Sequence, residues 1–122
     1  MLIIKTKLKE FPQKGIGLIA DQNIKKGEAI WIYHPMIDIT IKEKDVPKEA
    51  KDFFETYAVE EKKGEYFLNI DNARFMNHSD NPNTKSLGHH KNNITTRNIK
   101  KGEELTIDYR EIDIDGVDFE DM

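Results

Sequence analysis

Arg74-Phe75-Met76-Asn77-His78-Ser79-Asp80-Asn81-Pro82-Asn83 is the stretch on which the reading of this chain turns. Turn chemistry accounts for its second half, because serine, aspartate and asparagine side chains bond nearby backbone and proline fixes φ. It does not account for the first half. There a guanidinium, an amide and an imidazole crowd together just after an apolar strand, Tyr66-Phe67-Leu68-Asn69-Ile70. As a lone metal ligand His78 lacks an accompanying set of acids and histidines, and His89-His90 have no partner at metal spacing, so no metal site is expected.

On either side of this stretch lie two further clusters. Downstream, Gly102-Glu103-Glu104-Leu105-Thr106-Ile107-Asp108-Tyr109 reads as a strand ending in Asp-Tyr. Alone, Tyr109 is a packed ring with a wet hydroxyl. Upstream, Lys14-Gly15-Ile16-Gly17 would by itself be a turn entering a strand. Its missing side chains would also let backbone groups approach a ligand closely.

The rest of the chain supplies short β-patterned pieces. Leu2 to Leu8 is β-rich and ends in the Phe11-Pro12 break, and Gly15 to Ala20 enters a strand. Ala29-Ile30-Trp31-Ile32-Tyr33 is an unbroken apolar run, the pattern of a strand covered on both faces. Ile37, Ile39 and Ile41 alternate with polar residues as on a half-exposed strand, and Lys85 to Thr96 holds one or two short strands broken near Gly88 and Asn92-Asn93. One helix is expected after Asp45-Val46-Pro47, where Ala50, Phe53, Phe54, Tyr57 and Ala58 recur at helical spacing. Asp45 would cap it, Pro47 suits its first turn, and the aromatic stripe would face the core. Asn23-Ile24-Lys25-Lys26-Gly27-Glu28 returns as Asn98-Ile99-Lys100-Lys101-Gly102-Glu103. This is one glycine turn used twice, with isoleucine anchoring it below.

At 122 residues the chain fits a single domain, and without cysteine it has neither disulfide, thiolate zinc site nor cysteine nucleophile. The net charge of −4 hides an asymmetry: residues 111–122 carry six acids and no base, leaving 19 bases against 17 acids over residues 1–110. The end is either a solvated tail or an acidic lip attracting a lysine-bearing segment. No basic stripe is interleaved with aromatics, so direct nucleic-acid binding is not expected. No apolar run approaches a membrane span and the first residues do not resemble a signal peptide, so an intracellular, soluble protein is expected.

In order and separation the three clusters resemble the SET domain of protein-lysine methyltransferases, over about residues 2–110. That family carries a G-x-G, an R-F-x-N-H-S-x-x-P-N segment and a G-E-E-L-T-x-D-Y strand. The resemblance implies a mostly β protein: a β-clip of small curved sheets with one short helix and a C-terminal pseudoknot. Residues 1–110 would form the SET domain and 111–122 the acidic tail. It implies S-adenosylmethionine as cofactor, held by Gly15, Ile16 and Gly17 and by Arg74, Phe75, Asn77 and His78. Tyr109 corresponds to the tyrosine at the reacting centre and Tyr33 falls where the family has a tyrosine of the substrate-lysine channel, so both are implied as catalytic, their hydroxyls aiming the amine nitrogen. Tyr66 is a further candidate for that wall.

The implied activity is methyl transfer to the side-chain amine of a lysine in a protein substrate, histone or other. The alternative is a non-catalytic SET-like module binding a lysine-bearing segment or a partner protein. Three departures bear on the site. Many members complete the channel with a cysteine-rich zinc segment, which this chain lacks; its tail, with Phe119 the only aromatic there, or a second copy in a homodimer would have to do so. Ile107 stands where the family often has phenylalanine or tyrosine, which leaves room for more than one methyl group. His34-Pro35 replaces the family's usual glycine after the channel tyrosine.

Overall fold

The structure, a computed structural model, describes residues 1–112. Phe119 and nearly all of the acidic tail lie outside the described residues. Strands dominate, in chain order β1 (Thr6–Phe11), β2 (Gly15–Ala20), β3 (Ala29–Trp31), β4 (Asp38–Lys42), β5 (Val59–Lys62), β6 (Glu65–Asn69), β7 (Asn77–His78), β8 (Thr84–Ser86), β9 (Asn93–Thr95) and β10 (Thr106–Ile107). They form a β1-β2 hairpin, a β3-β9-β8 sheet, a β4-β6-β5 sheet and a parallel β7-β10 pair. The sole α-helix among the described residues, α1 (Lys51–Tyr57), precedes β5. This is the mostly β, small-sheet architecture that the sequence implies.

The core is aliphatic. Leu18, Ala20, Ile24, Ile30, Ile99 and Leu105 are all fully or almost fully buried, and Trp31, Phe67, Met76 and Ile107 close it on one side. Burying a leucine or isoleucine side chain contributes about 1.5–3 kcal/mol, so these few residues carry much of the hydrophobic stabilisation of so small a domain.

The repeated hexapeptide explains how the two halves are joined. Ile24 and Ile99 exchange both backbone hydrogen bonds, at 2.8 Å each. Each asparagine then serves the other copy: the Asn98 side-chain oxygen accepts from the Lys26 amide at 2.8 Å, and that of Asn23 accepts from the Lys101 amide at 2.9 Å. Gly27 and Gly102 take φ of 85° and 95°, which an L side chain rarely adopts. The two copies therefore pair with each other about a local twofold relation. Sequence alone identified the turns and the buried isoleucines but not this swap.

Two elements depart from expectation. Asp45 sits in a separate 3₁₀ turn (Glu43–Asp45) and does not cap the helix, which grows out of a second 3₁₀ turn (Lys48–Ala50) behind Pro47. Of the aromatic stripe only Phe54 is buried, and Phe53 is 42% exposed. Adjacent helical residues point about 100° apart, so with Phe54 turned into the core Phe53 is carried to the flank of the helix. The Ala29–Tyr33 run also stops early, β3 ending at Trp31. The Ile32 amide bonds the Met1 carbonyl, and the chain then bends into a turn where the buried Asp38 carboxylate accepts from the His34 amide at 2.8 Å.

Asn83 fastens β10 in place. Its side-chain oxygen accepts from the Thr106 amide at 2.9 Å, its side-chain nitrogen donates to the Glu104 carbonyl at 2.8 Å, and Thr84 donates to the Thr106 carbonyl at 2.8 Å. Both side chains are buried, so water does not readily replace them at their backbone partners. Asn83→Ala should destabilise the protein by about 2–4 kcal/mol, through a lost hydrogen bond pair and an orphaned buried amide. Urea unfolding measures this; a change under about 0.5 kcal/mol would mean the contact is dispensable.

Candidate active site

The residues that the sequence separates by 90 positions meet at one carboxylate. Glu104 accepts from Lys14 Nζ at 2.7 Å through one oxygen and from Asn77 Nδ2 at 2.8 Å through the other. Asn77 Nδ2 also reaches the Ile16 carbonyl at 3.4 Å. A Cβ on Gly17 would lie 2.6 Å from Glu104 Oε2, 2.7 Å from the Phe11 ring and 2.9 Å from Asn77 Nδ2. The side chain missing at Gly17 thus makes room for protein atoms. At Gly15, with φ 78°, nothing lies within 4 Å of the corresponding position, so that edge of the loop is open.

Parallel pairing sets the next step: Thr106 lies beside Asn77, and Ile107 beside His78. The chain leaves β10 through Asp108 and places Tyr109 against His78, with ring centroids 5.3 Å apart. The Tyr109 amide donates to His78 Nδ1 at 3.1 Å. Nδ1 must then be unprotonated, so the neutral ring carries its proton on Nε2 and donates to Asp80 Oδ1 at 2.9 Å. The Tyr109 hydroxyl donates to the Met76 carbonyl at 2.6 Å. Burial, and secondarily the Glu104 charge, push this phenol above its ordinary value of 10.0 despite an opposing hydrogen bond from the His78 backbone. Behind it, hydrogen bonds from Arg110 hold the Asp108 carboxyl below its ordinary range.

Tyr109 also forms part of the wall of a cavity of about 420 Å³, with Trp31, Phe67, Met76 and Ile107 as other apolar wall residues. That volume falls in the range of about 300–1,000 Å³ typical of small-ligand pockets. Among the described residues, Trp31 Nε1, Arg74 Nε and His90 Nε2 are buried with no hydrogen-bond partner. All three residues line this one cavity. Buried polar atoms are rarely left unpaired, so their concentration here points to a polar occupant.

Of the residues singled out in the sequence, Arg74, Ile107 and Tyr109 line the cavity. Gly15, Ile16, Gly17, Asn77 and His78 form the adjoining cluster, joined to it through Tyr109. Phe75 packs under the Arg74 guanidinium at 4.6 Å and edge-on to Tyr57 at 5.4 Å. Tyr33 is not on the cavity wall; it stacks face to face on His90 at 3.9 Å, and His90 takes the place on the wall. Tyr66 also lies off this cavity, against Phe54 at 5.7 Å and on a smaller hollow of about 160 Å³. Sequence reasoning missed Trp31, Phe67 and His90 as wall residues and Glu104 as the junction. Nothing in their local patterns distinguishes a core ring from a cavity ring.

The SET domain family model matches residues 15–110. The crystal structure of a proposed histone methyltransferase of Plasmodium falciparum superposes with a TM-score of 0.62 at 27% identity, covering 87% of this chain and 93% of that one. None of the curated proteins matches the chain. No helix among the described residues is long and apolar enough to cross a membrane.

A raised Tyr109 ionisation means a neutral hydroxyl at physiological pH. In a spectrophotometric titration, the difference between the native protein and Tyr109→Phe should show the missing phenol ionising above pH 10.0. A difference curve centred below that value would contradict the sheltered, hydrogen-bonded hydroxyl.

Proposed function

The chain belongs to the SET-domain family, and from that premise we propose that it is an S-adenosylmethionine-dependent methyltransferase acting on the side-chain amine of a lysine in a protein substrate. One observation carries this reading. The Gly15–Gly17 loop, the Asn77-His78 strand and Tyr109 come from three distant parts of the chain, yet they are locked together at the edge of an apolar cavity.

The residues present suit the cofactor. The open edge at Gly15 and the unpartnered Arg74 Nε offer space and a cationic donor to a ligand carrying purine and carboxylate acceptors. Backbone groups of Gly15, Ile16 and Gly17 would hold it, together with Arg74, Phe75, Asn77 and His78. When bound, S-adenosylmethionine supplies a methyl group made electrophilic by its sulfonium.

The chain's own contribution is alignment and desolvation. The Tyr109 hydroxyl spends its only proton on the Met76 carbonyl, so toward an incoming amine it can only accept. It therefore takes an N–H of the amine and leaves the nitrogen lone pair free to point at the methyl carbon. Holding nucleophile and electrophile in line supplies much of the acceleration in such a displacement. A free lysine, with a pKa of about 10.4, is protonated at neutral pH and has no lone pair. Walls of Trp31, Phe67, Ile107 and Tyr109 disfavour the ammonium and lower that pKa, after which water carries the proton away. Ile107, buried on β10, is smaller than an aromatic residue and leaves space for an amine that already bears a methyl group.

Labelled-methyl transfer to candidate lysine proteins, with calorimetry of cofactor binding, tests the proposal. Tyr109→Phe should lower transfer about a hundredfold or more while leaving cofactor affinity within about threefold, since the lost group positions only the amine. Mass analysis of the native product should include di- or trimethyl-lysine. Cofactor binding without transfer to any protein would favour the non-catalytic module; absence of binding would remove the enzyme reading.

A further inference from the structure

His89 and His90 stand in a turn closed by a 3.0 Å hydrogen bond from the Lys91 amide to the Gly88 carbonyl. In sequence they have no partner. The fold brings one from β5: Glu61 Oε2 lies 3.1 Å from His89 Nδ1, and its Oε1 lies 4.0 Å from His90 Nε2. One ligand atom from each of the three residues falls within 4.8 Å of the others. We propose that Glu61, His89 and His90 form a binding site for a borderline divalent transition metal, zinc being the representative ion.

Several observations meet here. The donor set, two imidazoles and one carboxylate, is one that zinc accepts, and it leaves a fourth position open. His90 Nε2 is buried and has no hydrogen-bond partner, although an ordinary buried imidazole nitrogen finds one. Its ring is held in place by stacking on Tyr33 at 3.9 Å and by Phe67 at 5.4 Å, so the nitrogen is aimed by packing. His90 is also the sole non-glycine residue with positive φ among those described, at 56°. That conformation is disfavoured for a residue that carries a Cβ. The small hollow of about 160 Å³ bordered by Glu61, His89 and His90 gives an ion and its water room to enter. Metal–nitrogen and metal–oxygen bonds of about 2.0–2.2 Å require the three ligand atoms to close by roughly an ångström, which rotation of Glu61 and of the exposed His89 ring, out of its 3.8 Å stack on His90, would supply.

The position gives the site a consequence. Glu61 and His90 line both the small hollow and the large cavity. An ion there would tie β5 to the 88–91 turn and fix His90 over Tyr33. This inference does not rest on the methyltransferase reading.

The test is zinc titration of the full chain, carrying no histidine tag, by calorimetry, with cobalt(II) as a visible-absorption probe of the same site. The expected result is one ion per chain, with a dissociation constant in the micromolar range or below, and a rise in melting temperature on adding zinc. Glu61→Gln keeps the shape of a largely buried side chain and His89→Ala removes an exposed one, so both should keep the native circular dichroism. Each should weaken binding about tenfold or more and shrink the thermal shift at a fixed zinc concentration accordingly. No binding at millimolar zinc, or unchanged affinity in both variants, would overturn the proposal.

Discussion

The fold depends on one crossing. The segment Glu103–Ile107 is bonded to β2 and then β7 through Glu103, Leu105 and Ile107, and to Asn83 and Thr84 through the alternate residues Glu104 and Thr106. The Ala20 amide donates to the Glu103 carbonyl at 2.9 Å, and the Leu105 amide donates to the Leu18 carbonyl at 2.8 Å. Beyond them Thr106 and Ile107 run beside Asn77 and His78. Both edges of this short segment are thus engaged, one by backbone and the other by the Asn83 and Thr84 side chains. Its side chains follow suit, with Leu105 wholly buried and Glu104 bridging Lys14 to Asn77. Tyr109 is placed only because this segment is placed.

That constraint explains why the site can be rigid without a large core. Exposed ion pairs contribute little, and Lys14–Glu104 alone would contribute less than about 1 kcal/mol. Backbone pairing, the buried Asn83 amide and the swapped Asn23 and Asn98 contacts do the holding. Both glycines of the Gly15-x-Gly17 loop then have separate uses. Gly17 allows the Glu104 and Asn77 side chains to approach the loop, and Gly15 leaves an edge uncovered. The chemistry proposed for Tyr109 follows from the same geometry, because a hydroxyl already committed to Met76 has only acceptor capacity left.

Much of this was legible in the chain. Strands announced themselves by β-branched runs, and the Asn77-His78 and Tyr109 clusters carried their own order and separation. The repeat identified Ile24 and Ile99 as anchors, and both are buried. What the sequence withheld depends on contacts between distant residues. Reciprocal capping by Asn23 and Asn98 needs two turns face to face, which no local pattern encodes. Glu61 and His90 meet across 29 positions, and the strand-like spacing around Tyr33 gave no sign that His90 would cover it. The start of α1 departs from its local pattern for a different reason: Asp45 has the composition of a cap, but the Pro47 that follows it begins a separate 3₁₀ turn.

The central claim is that the Gly15–Gly17 loop, the Asn77-His78 strand and Tyr109 make one ligand-binding unit. Backbone amide spectra of the labelled protein, recorded while S-adenosylhomocysteine is added, address it directly. The account predicts the largest shifts at Gly15, Gly17, Asn77, His78 and Tyr109, moving together with one saturation curve. Shifts confined to some other surface, or spectra unchanged at millimolar ligand, would contradict it.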